Sequence, residues 1–236
     1  MTTLFSEIQR LFERTYASIG VNLEDCLIDS RRCRQLSALA GAQCAELSML
    51  ARTFLREADG ALHVGIYYSG WLVEQLEKHD PRSGLSGDNI SPLIVFVEEI
   101  NHALHAVLRF RAGENPSSSE DYARNLELQG SVDTYLVLLL FMAIFRRPGT
   151  MTAMDRKWLR FHMFSRETGA SFSSENLRSR YMETTMLAKS YTLYLESLSA
   201  AARIQEIRVF HALDYTSKKD RISDVAASIE ESDGED

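Results

Sequence analysis

Four side chains suited to metal binding or acid-base chemistry lie within one apolar segment of the chain. Residues 91–110 read SPLIVFVEEINHALHAVLRF, in which Glu98, Glu99, His102 and His105 interrupt a run of aliphatic and aromatic residues. On a helix, Glu98, His102 and His105 project within an arc of about 60°. Carboxylate oxygens and imidazole nitrogens at this spacing can bind one cation, so the segment predicts a metal site.

The five residues EEINH, 98–102, resemble the HExxH helix of zinc peptidases, with Glu98 in the position of the first histidine. This resemblance implies that Glu98 and His102 bind the metal and that Glu99 is the general base for hydrolysis. Zinc is the expected ion, because it accepts carboxylate oxygen as well as imidazole nitrogen. Iron and manganese are alternatives, since a carboxylate is a harder ligand than the imidazole that it replaces.

Further ligands must come from the same helix or from a neighbouring one. His105 is the candidate fourth ligand. Glu127, in the segment NLELQGSVDTY, lies on the next predicted helix, which a short connection should fold back beside the first. Zinc peptidases of the gluzincin type also take a ligand glutamate from a later helix. Asp133, on the same helix as Glu127, is expected to orient a ligand through a hydrogen bond.

A second metal interpretation uses the same residues. Glu99 and His102 form an ExxH pair, which together with Glu127 resembles half of a ferritin-like di-iron site. The other half would need carboxylates from Glu74, Glu77 or Glu183, and none of these has a histidine three residues later. A single ion is therefore the better prediction.

A third interpretation needs no metal. Glu98, His102 and His105 would form part of an ordinary solvated helix face, and Arg109 would supply a counter-charge. The protein would then be a non-catalytic helical interaction module that contacts a protein partner, or a second copy of itself, through exposed helix faces and its acidic C-terminal end.

The elements that position these residues are predicted to be helices almost throughout. Apolar residues recur at steps of three and four, and the chain contains only four prolines. The pattern predicts a single all-α domain, residues 1–216, built as a bundle of about seven helices. Helices are expected over approximately 4–19, 23–29, 33–54, 62–76, 92–111, 118–147, 153–166 and 176–215, the last as one long helix or two in tandem. Residues 62–68 also have the β-branched and aromatic content of a strand, but the helical spacing from Val64 to Leu76 favours a helix.

Residues 217–236 are predicted to form a disordered acidic tail, because they offer few apolar side chains to offset the entropy of ordering. Six acidic residues lie between positions 224 and 236, whereas the formal charge of the whole chain is −7. The remaining part is therefore nearly neutral, and its basic residues are scattered among acids. We expect no nucleic-acid partner for such a surface.

Three features predict a soluble, cytoplasmic protein without a membrane partner. The longest apolar run, residues 135–145, is about half the length that a bilayer crossing requires. The first residues are amphipathic and lack the apolar core of an export signal. Cys26, Cys33 and Cys44 are odd in number and have no CxxC spacing, which is typical of reduced thiols.

Overall fold

The fold is mostly helical with one small antiparallel sheet. The computed structural model describes residues 3–39, 50–114, 119–145, 151–165 and 175–233. Within these ranges the chain forms nine α-helices rather than about seven, and two β-strands. In chain order they are α1 Leu4–Thr15, α2 Ser30–Leu39, β1 Ala51–Ala58, β2 Ala61–Tyr68, α3 Gly70–Lys78, α4 Ile90–Arg111, α5 Glu120–Phe145, α6 Ala153–Arg160, α7 Glu175–Ser197, α8 Ala200–Ala212 and α9 Tyr215–Asp233.

Helices α4 and α5 form the centre of the molecule, as their apolar sequences predict. Arg109, near the end of α4, contacts Asn125 near the start of α5, whereas Asn101 contacts Asp133 further along. The two helices are therefore antiparallel. Their apolar faces pack with α1, α3 and the sheet into the larger of two core clusters, in which Ile100, Leu104 and Leu138 are fully buried.

The β-hairpin corrects the prediction of helices over 33–54 and 62–76. Strands β1 and β2 pair from Ala51 opposite Tyr68 to Ala58 opposite Ala61, so Asp59 and Gly60 alone form the turn. Both turn residues have positive φ, 54° and 72°. An Asp-Gly pair adopts this backbone readily and favours a two-residue hairpin over a continued helix. Residues 40–49 of the helix predicted over 33–54 lie outside the described ranges.

The hairpin packs on α4, which explains why the strand conformation is stable here. Ile66 is fully buried, and the Tyr68 hydroxyl donates to the Phe96 carbonyl at 2.8 Å. The Thr53 hydroxyl donates to the Glu99 carbonyl at 3.1 Å. A two-stranded hairpin is marginal alone, so packing against a helix supplies the stability that pairing does not.

The predicted segment 176–215 is two helices in tandem. Helix α7 ends at Ser197, and Ser199 begins α8 by accepting a hydrogen bond from the backbone N–H of Ala202. The two helices pack with α9 and part of α5 in the second core cluster. Tyr191 and Phe210 stack at its centre, with ring centroids 4.0 Å apart.

Helix α9 occupies much of the region that the sequence predicts to be disordered. Its side chains at Lys218, Ile222 and Val225 are buried, and the latter two belong to the second core cluster. Apolar residues at these steps lie on one helix face, which α7 and α5 cover. Order therefore extends beyond the predicted boundary at residue 216 as far as Val225, because the periodicity of these apolar residues outweighs the polar composition. Residues 234–236 lie outside the described ranges.

Within the described residues, α5 is the one helix long and apolar enough to cross a membrane by length and composition. Of its most apolar window, 61% is buried inside the protein. A mostly buried helix of this kind is consistent with the core helix of a soluble protein.

Candidate functional site

Three acidic side chains and one imidazole meet between α4 and α5. Helix α4 supplies Glu98, Glu99 and His102, and α5 supplies Glu127. The His102 Nε2 atom lies 3.8 Å from Glu127 Oε2, and its Nδ1 atom lies 4.0 Å from Glu99 Oε2. These separations exceed hydrogen-bond length, so the imidazole lies between two carboxylates without bonding to either. We call Glu98, Glu99, His102 and Glu127 the carboxylate cluster.

The carboxylate cluster is not an ordinary solvated helix face. The side chains of His102, Glu99 and Glu127 are 16%, 15% and 20% exposed, respectively. Surface glutamates on helices usually extend into water, where ionisation costs little. Here the charged form loses most of that hydration, and the packing of α4 against β1 and α5 is the reason.

Burial and mutual repulsion make these carboxylates weak acids. Burial, and then the charges of Glu127 and Glu99, raise the pKa of Glu98 from 4.5 to about 8. Burial likewise raises the pKa of Glu127 to about 7, against the opposing charge of Arg180 and a hydrogen bond from Tyr181. Burial lowers the pKa of His102, so at neutral pH its imidazole is uncharged and does not neutralise the glutamates.

Glu99 differs from Glu98 in its surroundings. Burial raises the pKa of Glu99, but the adjacent His102 and a hydrogen bond from Thr53 oppose that rise. One glutamate of the adjacent pair therefore holds a proton near neutral pH more readily than the other. Such a difference between neighbouring carboxyl groups is typical of sites where one group binds and the other transfers protons.

Helix α7 adds Arg180 and Tyr181, two side chains that the sequence analysis does not include in this site. The Tyr181 hydroxyl hydrogen-bonds to Glu127, and the charges of Glu127, Glu98 and Glu99 all act on it. Arg180 lies close enough to lower the pKa of Glu127, and it forms a salt bridge with Glu120 at 2.5 Å. The spacing of Tyr181 carries no signal for this role, because tyrosines at helical spacing usually belong to the core.

Gly130 of α5 is what allows the two helices to approach at His102. A β-carbon at position 130 would lie 2.8 Å from His102 Nε2. That nitrogen is buried and has no hydrogen-bond partner among the described residues. Glycine in a helix interior costs about 1 kcal/mol relative to alanine, so its presence here reflects the close approach.

His105 and Asp133 lie apart from the carboxylate cluster and form a second polar centre. His105 Nε2 lies 2.8 Å from Asp133 Oδ2, and the ring of His105 contacts the rings of Tyr16 and His211. His105 therefore bonds to Asp133 and does not lie where the predicted fourth ligand would be. Asp133, which the sequence predicts to orient a metal ligand, bonds to His105 rather than to a residue of the carboxylate cluster.

Asp133 is the acceptor at the centre of this buried network. Its Oδ1 accepts a hydrogen bond from the Tyr16 hydroxyl, and its Oδ2 also accepts from Asn101 at 2.8 Å. Burial by itself would raise its pKa, but hydrogen bonds from His105, Tyr16 and Asn101 together lower it. Asp133 is thus an ionised carboxylate held by three donors.

Two buried basic side chains, Lys218 and Arg109, extend the network toward α9. Lys218 is fully buried, and its Nζ donates to Asn125 and Gln129, both at 2.6 Å. Arg109 donates to Asn125, to Glu114 and to the carbonyls of His211 and Leu213. Arg109, which the metal-free interpretation uses as a counter-charge, therefore bonds to these groups.

The residues proposed for a second iron do not converge on the carboxylate cluster. Glu74 and Glu77 are exposed on α3, and Glu183 forms salt bridges with Arg124 and Lys219. Among the described residues, no group of three or more His, Cys, Asp or Glu side chains is arranged so that it could hold a metal ion. The carboxylate cluster supplies suitable donor atoms, but it does not have the geometry of a metal-bound site.

Searches with the chain found no matching family model, no matching curated protein and no matching solved structure, so the carboxylate cluster must be interpreted from its own chemistry.

Proposed function

We propose that this protein is a metal-dependent hydrolase that binds one divalent ion between Glu98, His102 and Glu127, with Glu99 as the general base. The observation that supports this proposal best is the charge of the carboxylate cluster. Three glutamates are held in a poorly hydrated space beside an uncharged imidazole. A cation there would offset a repulsion that otherwise forces protons onto the glutamates.

The separation between two of the three proposed ligand atoms is slightly larger than a small bound ion would require. Zinc binds imidazole nitrogen and carboxylate oxygen at about 2.0–2.2 Å, which places two tetrahedral ligand atoms about 3.4 Å apart. His102 Nε2 and Glu127 Oε2 are 3.8 Å apart. The unpartnered Nε2 atom is also the nitrogen that faces Glu127. Zinc is the first expectation, with iron or manganese as alternatives because two of the three ligands are carboxylates.

Each surrounding side chain would have a distinct role. A bound divalent ion supplies Lewis acidity and lowers the pKa of water. Glu99 would accept the proton of that water, since its carboxylate lies 4.0 Å from the His102 ring and its pKa is raised by burial. Tyr181 would hold Glu127 in place through its hydroxyl. The free thiols of Cys26 and Cys33 fit a cytoplasmic location for this enzyme.

Metal binding is tested by titrating metal-free protein with Zn²⁺, Mn²⁺ and Fe²⁺ in a calorimeter and following the melting temperature. We expect one ion to bind the native protein and to raise its melting temperature. The double variant Glu98→Gln, His102→Ala should lose both effects. The matched control Glu77→Gln, His63→Ala changes the same residue types at exposed positions and should bind as the native protein does. Equal binding by the two double variants would refute the proposed site.

Hydrolysis is tested separately with Glu99→Gln. This variant should still bind the ion, because Glu99 is not a ligand, but it should lose turnover of a fluorogenic peptide library by at least about a hundredfold. Turnover that persists in Glu99→Gln would remove Glu99 as the base. Metal binding by a native protein that cleaves no member of peptide, ester or amide libraries would refute the hydrolase assignment while leaving the metal site intact.

A further inference from the structure

A separate cavity lies between α1, α5 and α8, and no residue of the carboxylate cluster lines it. It has a volume of about 430 Å³. Small-molecule sites usually measure about 300–1,000 Å³, so the cavity is large enough for a ligand. Its walls are mainly apolar and are formed by Leu11, Phe12, Leu136, Val137, Leu139, Leu140, Ala143, Met151, Ile204 and Ile207.

Three charged side chains that line this cavity lie close to one another. They are Arg156 of α6, Glu196 of α7 and Arg203 of α8. Glu196 already has other partners, because Arg160 Nη1 lies 2.5 Å from its Oε1 and the Tyr135 hydroxyl donates to it. One carboxylate thus serves three guanidinium groups, so the positive charge of this group is in excess.

The two arginines that line the cavity retain unused capacity for an anion. Arg156 makes only a long contact with Glu196, 3.5 Å, and its Nε atom is buried without a hydrogen-bond partner among the described residues. Arg203 is held by carbonyl groups of Leu195, Glu196 and Leu198, none of which neutralises its charge. A planar anion is the group that such guanidinium pairs bind best.

Asp133 and Tyr16 also line the cavity. Asp133 is an ionised carboxylate whose two oxygens already accept hydrogen bonds from Tyr16, Asn101 and His105. It would repel a second negative charge, and its oxygens have no need of a further donor. An apolar ligand body therefore fits along the apolar walls, and a negatively charged head group fits only beside the arginines.

We infer that this cavity binds a medium-chain fatty carboxylate, with the acyl chain along α1 and α5 and the carboxylate beside Arg156 and Arg203. Leu140 and Ile204, both partly exposed where the cavity opens, would be covered by the chain. Removing such apolar surface from water contributes to affinity at about 25 cal/mol per Å². The site is independent of the proposed metal site.

The test is calorimetric titration of the full-length protein with decanoate in buffer that contains EDTA. Decanoate should bind, and decylamine, which has the same chain with a positive head, should bind at least tenfold more weakly. Butyrate should also bind weakly, because it covers little of the apolar wall. Decylamine binding as tight as that of decanoate, or no binding of decanoate, would overturn the inference.

Two variants locate the site. Arg156→Gln changes a side chain that is 40% exposed and should weaken decanoate binding about tenfold without changing decylamine binding. Ala143→Phe fills the cavity opening and should weaken binding of both ligands. The control Arg178→Gln removes an exposed arginine of α7 outside the cavity and should have no effect. Melting curves confirm folding of each variant, and decanoate binding unchanged in both Arg156→Gln and Ala143→Phe would show that the chain binds elsewhere.

Discussion

The His102 Nε2 atom lies 2.8 Å from the position that a β-carbon on Gly130 would occupy. The imidazole of His102, the only one in the carboxylate cluster, can therefore keep its orientation only because residue 130 has no side chain. The nearest atom is part of a ring held between Glu99 and Glu127, rather than the end of a flexible chain, so it cannot move away freely.

Gly130→Ala should therefore displace His102 and weaken metal binding at least about tenfold. A methyl group at this position must push the imidazole or separate the helices, and overpacking of this kind costs about 1–3 kcal/mol. Alanine is the better helix former by about 1 kcal/mol, so the net loss of stability should be small. Calorimetry with Zn²⁺ and urea denaturation measure the two effects. Undiminished affinity in the variant would show that Nε2 is not a ligand.

Glu98→Gln should change how the stability of the metal-free protein depends on pH. The pKa of Glu98 rises from 4.5 to about 8 on folding, so between these values the folded protein binds more protons than the unfolded chain. The stabilising contribution of the protonated carboxyl is present below pH 4.5 and is lost as the pH rises through 8. Glutamine resembles the protonated form at every pH.

We thus expect Glu98→Gln to match the native protein below pH 4.5 and to exceed its stability increasingly as the pH rises from 4.5 to about 8, by at most about 1.4 kcal/mol per pH unit. Urea denaturation in EDTA across this pH range measures the difference. The exposed Glu77→Gln variant serves as the control and should show no such trend. A native protein that remains more stable than Glu98→Gln at high pH would contradict the burial of that charge.

Asp133→Asn should be among the most destabilising single substitutions in this protein. The carboxylate of Asp133 accepts hydrogen bonds from Tyr16, Asn101 and His105. Asparagine removes its negative charge and introduces an N–H group that faces those donors. Breaking one side of a buried charged network usually costs about 3–5 kcal/mol. Thermal and urea denaturation measure the loss, with Asp220→Asn on the exposed side of α9 as control. A loss below about 1 kcal/mol would mean that the network does not hold the helices together.

Ile222→Ala tests whether α9 belongs to the folded core. Ile222 is 3% exposed and packs in the second core cluster, so removing its outer carbons should cost about 2–4 kcal/mol of stability. Ser223→Ala, at the next and exposed position, should change stability by less than about 0.5 kcal/mol. If neither substitution changes the free energy of unfolding in urea, α9 does not belong to the folded core and the predicted disordered tail is correct.

The helical core and the residues of the carboxylate cluster follow from the sequence by itself. Apolar spacing predicts α4 and α5, and the short connection between them predicts an antiparallel pair. Since Glu98 and His102 are one turn apart on the first helix and Glu127 lies early on the second, antiparallel packing brings them to one level. The structure places His102 and Glu127 3.8 Å apart, in agreement with that geometry.

Only the tertiary structure decided the surroundings of that cluster. His105 lies less than one full turn beyond His102, and this rotation is enough to direct it to Asp133 instead of Glu127. Tyr181 reaches Glu127 from a helix that is distant in sequence. The hairpin and α9 are stable because each covers apolar surface that other segments provide, at Phe96 and at Tyr191, respectively. Local patterns describe what a segment can bury, whereas the choice between strand, helix and disorder depends on the surface available to bury it.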